Sequence, residues 1–113
     1  MLVRLDALFE GVLGIAVLLC VTTGALDSSD FPSPVGSAIL VLAGWALLTL
    51  CGLIWAGWIG LRELAIGNAV SAAAGLAWLF VADGWSNAGA TVVGITVAVL
   101  AVLAAAQVAT LRA

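Results

Sequence analysis

Four long apolar segments dominate the sequence, and each contains few charged residues. A helix of about 20 apolar residues, rising about 1.5 Å per residue, crosses about 30 Å of hydrocarbon. The segments at residues 5–26, 37–58, 63–82 and 87–111 meet that length. Because hydrocarbon offers the backbone no hydrogen-bond partners, each segment is predicted to form a transmembrane α-helix.

The composition agrees with a chain that lies in lipid. Apolar residues make up 65% of the sequence and charged residues 8%, whereas soluble domains average about 45–50% and about 25%. The 113 residues are enough for a single transmembrane domain, residues 1–113. A chain rich in Ala, Gly, Val and Leu and without Lys fits a GC-rich bacterial genome. We therefore expect a multi-pass protein of the bacterial plasma (inner) membrane, with the lipid bilayer around it.

The connections between the predicted helices are short. Residues 27–36 contain Pro32 and Pro34, which lack a backbone donor and end a helix, and residues 59–62 and 83–86 are tight turns. Short loops force neighbouring spans to run antiparallel. The predicted fold is therefore all-α, a membrane-spanning up-down-up-down four-helix bundle.

The three basic residues predict the orientation of this bundle. Arg4, Arg62 and Arg112 fall at places that share one side of a four-span protein, and the opposite loops carry aspartates and no base. The positive-inside rule then places the N- and C-termini in the cytoplasm. Asp6 and Glu10 argue that the first segment is a retained span rather than a cleaved signal peptide.

Small residues recur along single helix faces. Lipid tails are as apolar as Leu, so helices in a bilayer associate through close packing of small side chains. Residues four apart share a face, and such rows occur at Gly67, Ser71 and Gly75 in the third span and at Ala90, Gly94 and Ala98 in the fourth. The first two spans add Gly11, Gly14, Gly44 and Gly52. These residues are predicted to form close helix contacts, with each other, with another span or with a second copy of the chain.

Polar residues concentrate near one end of the predicted bundle. Antiparallel folding brings polar residues of three spans to a similar height there. Ionisable groups inside a span are functional candidates, because they are costly to bury. The predicted cluster contains Asp6, Glu10, Arg62, Glu63, Asn68 and Gln107.

This polar cluster has two interpretations. It is either a site for a proton, a substrate or a lipid headgroup, or an internal clamp. In the first, Glu10 is the main titratable candidate, because it is the deepest acid and lies near the like charge of Asp6. In the second, Arg62 or Arg4 neutralises a carboxylate and Asn68 hydrogen-bonds to another helix, which is ordinary in membrane proteins.

Several functions are not expected from this composition. The chain has no His, Lys or Tyr, which removes Ser-His and Cys-His catalytic pairs, His-ligated metals and haem, and Lys Schiff bases. Three scattered Arg do not make a phosphate-binding patch. We therefore expect no enzymatic activity, no cofactor, no metal site and no nucleic-acid partner.

Short motifs at the ends of the spans resemble those of a known group of proteins. The motifs are Leu5-Asp6-Ala7 followed by Gly11 and Gly14, Gly67-Asn68, Gln107 and Leu111-Arg112. This layout resembles small, uncharacterised four-span membrane proteins of high-GC Gram-positive bacteria. The resemblance implies the four-span fold and a joint importance of Asp6, Asn68 and Gln107, and it transfers no activity.

The chain also resembles the small multidrug resistance transporters, four-span proteins of similar length with an essential Glu in the first helix. Glu10 lies closer to the end of its span than that Glu, and residues 63–82 lack the aromatic and Gly motifs of that family's third helix. The three-to-none arginine bias also differs from transporters that insert in both orientations.

Three functional hypotheses follow. The leading one is a non-enzymatic protein that acts through helix–helix association, as a homo-oligomer or as an accessory subunit of a larger membrane complex. The second is a proton-coupled small-molecule transporter that uses Glu10. The third is a lipid-binding protein that uses the cluster around Arg62 at the anionic inner leaflet.

Overall fold

The computed structural model describes residues 1–33 and 36–112. These residues form four α-helices, with a short 3₁₀ turn between the first two: α1 Leu2–Thr23, the turn Ser28–Asp30, α2 Ser37–Trp55, α3 Leu61–Val81 and α4 Asn87–Arg112. All four helices are long and apolar enough to cross a membrane. The prediction of an all-α chain with four candidate spans is confirmed. Pro34, which is predicted to help end the first span, lies outside the described residues.

The first two helices end earlier than predicted because of the glycines that follow them. Gly24 adopts a left-handed conformation with φ 80° and donates its N–H to the Val21 carbonyl, which closes α1. Gly57, with φ 84°, follows the end of α2. Only glycine enters this region without steric strain, so these residues are helix stop signals that a hydropathy pattern does not register.

A hydrogen-bonded tie joins the loop after α1 to the start of α4. The Ser86 backbone N–H donates to the Asp30 carbonyl over 3.1 Å, and the Ser86 hydroxyl donates to the Asp30 carboxylate. The same hydroxyl accepts from the Gly89 N–H at 3.0 Å and so caps α4. A Cβ at Gly89 would lie 1.9 Å from the Asp30 carbonyl oxygen, so the tie requires glycine there.

The helices pair as two antiparallel hairpins, α1 with α2 and α3 with α4, and contacts between the hairpins are sparse. In the first hairpin the backbones approach most closely at Gly14 and Gly44. A Cβ at Gly14 would lie 2.9 Å from the Gly44 carbonyl oxygen, and one at Gly44 would lie 2.7 Å from Leu18 Cγ. The hairpin therefore depends on small residues for close packing, as helix pairs in lipid do.

The buried apolar residues form two clusters, one near each end of the molecule, while Ala72 and Leu100 are buried between them. At one end Ala7, Ile54 and Leu64 pack together. At the other end the aromatic rings of Phe31, Trp78 and Trp85 stack or meet edge to face, with centroids 4.4–6.4 Å apart. The hairpins are thus joined at both ends, and the space between the ends is less tightly filled.

Large apolar side chains cover the outer faces of all four helices. Val12, Leu42, Val70 and Val102, one from each helix, are all exposed. Soluble monomers rarely expose a continuous apolar surface of this extent. The outside of the molecule is therefore suited to a lipid environment.

We predict that Gly14→Ala destabilises the first hairpin by about 1–3 kcal/mol, because the new methyl group overpacks against the Gly44 backbone. The thermal midpoint in detergent should fall. Gly52→Ala is the control, since no described atom lies within 4 Å of a Cβ there, and alanine should raise helix stability by about 0.5–1 kcal/mol. Equal midpoints for the two variants would contradict the close contact.

Candidate functional site: a buried polar network beside a cavity

Three polar side chains from three helices meet at the end of the molecule where α1 begins. Asp6 of α1 and Gln107 of α4 are 0% exposed, and Asn68 of α3 is 5% exposed. Asp6 lies in the second turn of α1, Asn68 at the start of the third turn of α3, and Gln107 in the second turn from the end of α4. Antiparallel pairing therefore brings all three to one height, and they link the two hairpins.

The three side chains form a closed hydrogen-bonded network. Asn68 Nδ2 donates to Asp6 Oδ2 over 2.6 Å and to Gln107 Oε1 over 3.0 Å. Gln107 Nε2 donates to the same Asp6 Oδ2 over 2.7 Å. One carboxyl oxygen of Asp6 thus accepts two amide donors, so a single atom of α1 is bonded to both α3 and α4.

The second oxygen of Asp6, Oδ1, is buried and has no hydrogen-bond donor among the described residues. Glu10 lies one turn further along α1, on the same face as Asp6, and is 5% exposed. The two carboxyl groups are therefore buried neighbours at the edge of the network.

The arginines do not take part in this network. Arg62 is exposed at the start of α3, and Arg4 lies over the ring of Trp55, 5.4 Å from its centroid. In the described part of the chain neither forms an ion pair with Asp6 or Glu10. The clamp therefore consists of amide donors from Asn68 and Gln107, not of an arginine.

A cavity of about 510 Å³ borders the network between the two hairpins. Residues of all four helices line it, and most are apolar. Its polar lining residues are Glu10, Glu63, Asn68, Ser71 and Thr96, and Trp58 and Ile59 of the α2–α3 turn lie at one end. Glu10 and Asn68 thus belong to both the network and the cavity wall, so a molecule in the cavity would contact them.

A second cavity of about 340 Å³ continues toward the opposite end of the molecule. Four residues line both cavities, namely Leu13, Ser71, Thr96 and Leu100. Phe31 and Trp78 of the aromatic cluster lie at the far end of the second one. The two cavities therefore meet near the middle of the helices, and aromatic side chains close the end remote from Glu10.

The predicted small-residue rows have different surroundings along their lengths. Gly75 approaches α4, since a Cβ there would lie 2.6 Å from Val97 Cγ2. Gly67 and Ser71 line the cavity instead, and no described atom lies within 4 Å of a Cβ at Gly67 or Gly94. Of the α4 row, Ala98 is exposed and Ala90 and Gly94 are half-buried. In the first hairpin the close glycine contact is instead the one between Gly14 and Gly44.

The sequence predicts polar residues near one end of the helices but does not indicate a cavity. Leu13, Thr96 and Leu100 line it, and nothing in their sequence pattern separates a cavity-lining residue from a lipid-facing one. Nor does the sequence pattern indicate the aromatic cluster, because Phe31, Trp78 and Trp85 lie in three separate segments of the chain. The tie between Asp30 and Ser86 brings these rings together.

No protein-family model, curated protein or solved structure matches this chain. Among the described residues, no group of three or more His, Cys, Asp or Glu side chains is arranged to hold a metal ion. The chemistry open to the site is that of two neighbouring carboxyl groups, two amides and a largely apolar cavity.

We predict that Asn68 and Gln107 stabilise the fold jointly. In a double-mutant cycle with Asn68→Ala and Gln107→Ala, the unfolding free energies should show a coupling of about 0.6 to about 1.7 kcal/mol. Thr49→Ala replaces Gln107→Ala in the control cycle, because the Thr49 hydroxyl bonds only within its own helix, to the Trp45 carbonyl. Additive effects in the Asn68–Gln107 cycle would show that the two amides do not act together in one network.

Proposed function

We propose that this chain is a non-enzymatic transporter of the bacterial plasma membrane, which binds a small molecule between its hairpins and exchanges it for protons. The position of Glu10 carries the proposal. Glu10 lies one turn from the buried Asp6 on the same helix and lines the 510 Å³ cavity. A carboxyl in this place binds either a proton or a hydrogen-bond donor of a ligand. Because the two compete for Glu10, movement of the ligand across the membrane is coupled to movement of protons.

The shape of the molecule supports movement of a ligand. The two cavities share lining residues and so extend along much of the length of the helices. The hairpins make few contacts with each other, and rigid rocking of one helical unit against another is a common means of alternating access. Separation of the aromatic cluster would open the end that is closed in this structure.

The proposal includes an orientation. With Arg4, Arg62 and Arg112 on the cytoplasmic side, Glu10 and the network lie near the cytoplasm and the aromatic cluster lies near the outer surface. The chain would then bind its ligand from the cytoplasm and release it outward, with protons returning inward through the acid pair.

We predict that Glu10→Gln abolishes coupled proton movement, because glutamine does not bind and release a proton at neutral pH. Proteoliposomes carry a pH gradient and a trapped pH-sensitive dye, and a panel of cationic, neutral and anionic amphiphiles is added one compound at a time. At least one compound should collapse the gradient faster in wild-type than in protein-free vesicles.

Glu63→Gln is the matched control. This variant also replaces a cavity-lining glutamate by glutamine, but Glu63 is exposed and lies outside the hydrogen-bonded network. It should keep most of the wild-type rate, and Glu10→Gln should keep its thermal midpoint within a few degrees. A Glu10→Gln rate equal to wild type for every active compound would refute the proposal.

Helix association is a second candidate function, as a homo-oligomer or as an accessory subunit of a larger membrane complex. The observation that favours it is the open space beside Gly94, which lies outside the lining of both cavities. Small residues let helices approach closely, and no described atom of the chain fills the space at this position. A second copy or another membrane protein would do so.

We predict for this second candidate that Gly94→Leu lowers the oligomeric mass measured by light scattering in detergent, since leucine blocks close approach. Gly52→Leu, at another open glycine, is the control and should leave the mass unchanged. A wild-type protein that is strictly monomeric and co-purifies with no other protein would exclude this function.

A further inference from the structure

We infer that the two cavities form one site for a single-chain amphiphile whose headgroup donates hydrogen bonds and carries no negative charge. The inference rests on the proposed function, because it names the class of molecule that binds beside Glu10. It follows from the charges at one end of the combined site, the apolar lining at the other and the continuity between them.

The end of the site near Glu10 favours a donor. Glu10 and Glu63 both line this part of the cavity, and no described arginine does. One turn from Glu10, the buried Oδ1 of Asp6 has no hydrogen-bond donor among the described residues. An ammonium or hydroxyl group would donate to Glu10. A carboxylate or phosphate would meet like charge in a poorly solvated place, which is strongly unfavourable.

The other end of the site favours an apolar chain. Leu26, Phe31, Leu40 and Trp78 are among the residues that line the second cavity. Thr96 is one of its two hydroxyl-bearing residues, with Ser71, and its hydroxyl donates to the Val92 carbonyl of its own helix over 2.8 Å. That bond satisfies the Thr96 donor within the protein, so this part of the site offers mainly apolar and aromatic contacts.

The two parts are continuous. Along α1 the lining runs from Glu10 past Leu13 to Val17, which is about two helical turns or about 10 Å. A ligand with its headgroup at Glu10 therefore extends its chain toward Phe31. The 340 Å³ of the second cavity lies at the low end of the range for small-ligand sites, about 300–1,000 Å³, and this suits one chain rather than two.

The test uses the full chain in nanodiscs of zwitterionic lipid and tritiated dodecylamine as the probe, with empty nanodiscs subtracted. Unlabelled 1-dodecanol should compete with the probe. Dodecanoate, which has the same chain and an anionic head, and butylamine, which has the same head and a short chain, should each compete about tenfold less well or worse.

Variants test the two ends separately. Glu10→Gln should weaken dodecylamine binding about tenfold. Asp83→Asn is its control, since Asp83 is exposed and lies outside the lining of both cavities. Ala43→Leu should narrow the second cavity, which Ala43 lines, and weaken dodecylamine binding without affecting butylamine. Ala46→Leu is the control, since Ala46 is exposed on the same helix and lies outside the lining of both cavities.

Each outcome decides a separate point. If dodecanoate competes as well as dodecylamine, the headgroup class is wrong, and if butylamine competes equally or Ala43→Leu has no effect, the chain site is wrong. Dodecylamine binding that Glu10→Gln leaves unchanged, or no specific binding, overturns the whole inference. The proposed transport depends instead on the proton-movement experiment, so it can survive any of these results.

Discussion

The membrane environment removes the force that holds most small proteins together. Water drives apolar side chains into a core, but a helix surrounded by hydrocarbon gains little by exchanging lipid for leucine. Close backbone contact and hydrogen bonds between helices must replace that force. In this chain the first appears at Gly14 and Gly44 and the second at Asp6, Asn68 and Gln107, and the arrangement of the helices depends on both.

Because these two interactions act at a few places only, the space between the hairpins stays open. The polar network and the aromatic cluster join the hairpins at opposite ends, contacts between the hairpins are few, and two cavities lie between them. In water such a gap would be closed by hydrophobic collapse, whereas in lipid the collapse is only weakly favoured. Because collapse is weak in lipid, the cavity stays open and Glu10 faces it. The candidate site therefore follows from how the fold is stabilised.

The sequence predicted the four helices because span length and hydropathy are properties of the chain itself. It also placed Asp6, Asn68 and Gln107 at one height, since antiparallel spans and the residue count are enough to do so. It did not predict that amides rather than Arg62 surround Asp6, because side-chain direction depends on how each helix is rotated about its axis. The cavity depends on distances between hairpins, and no periodicity within one helix encodes them.

Helix boundaries also show that hydropathy predicts the helices but not the details that depend on backbone conformation. Hydropathy extended α1 to Leu26, but the left-handed Gly24 ends the helix, and Leu26 packs beside Phe31 and Leu40 instead. An apolar residue just after a helix is indistinguishable by hydropathy from one within it. The tie between Asp30 and Ser86 is likewise invisible in the sequence, because it joins two loops far apart in the chain.

The account depends most on Glu10 facing a cavity within the membrane-embedded part of the protein. The most direct measurement is labelling of the protein in membranes with an apolar carbodiimide, followed by mass spectrometry to identify the modified carboxyl groups. Modification of Glu10, with Asp27, Asp30 and Asp83 unmodified, is the predicted result. An unreactive Glu10 in a sample whose loop aspartates react would contradict the account.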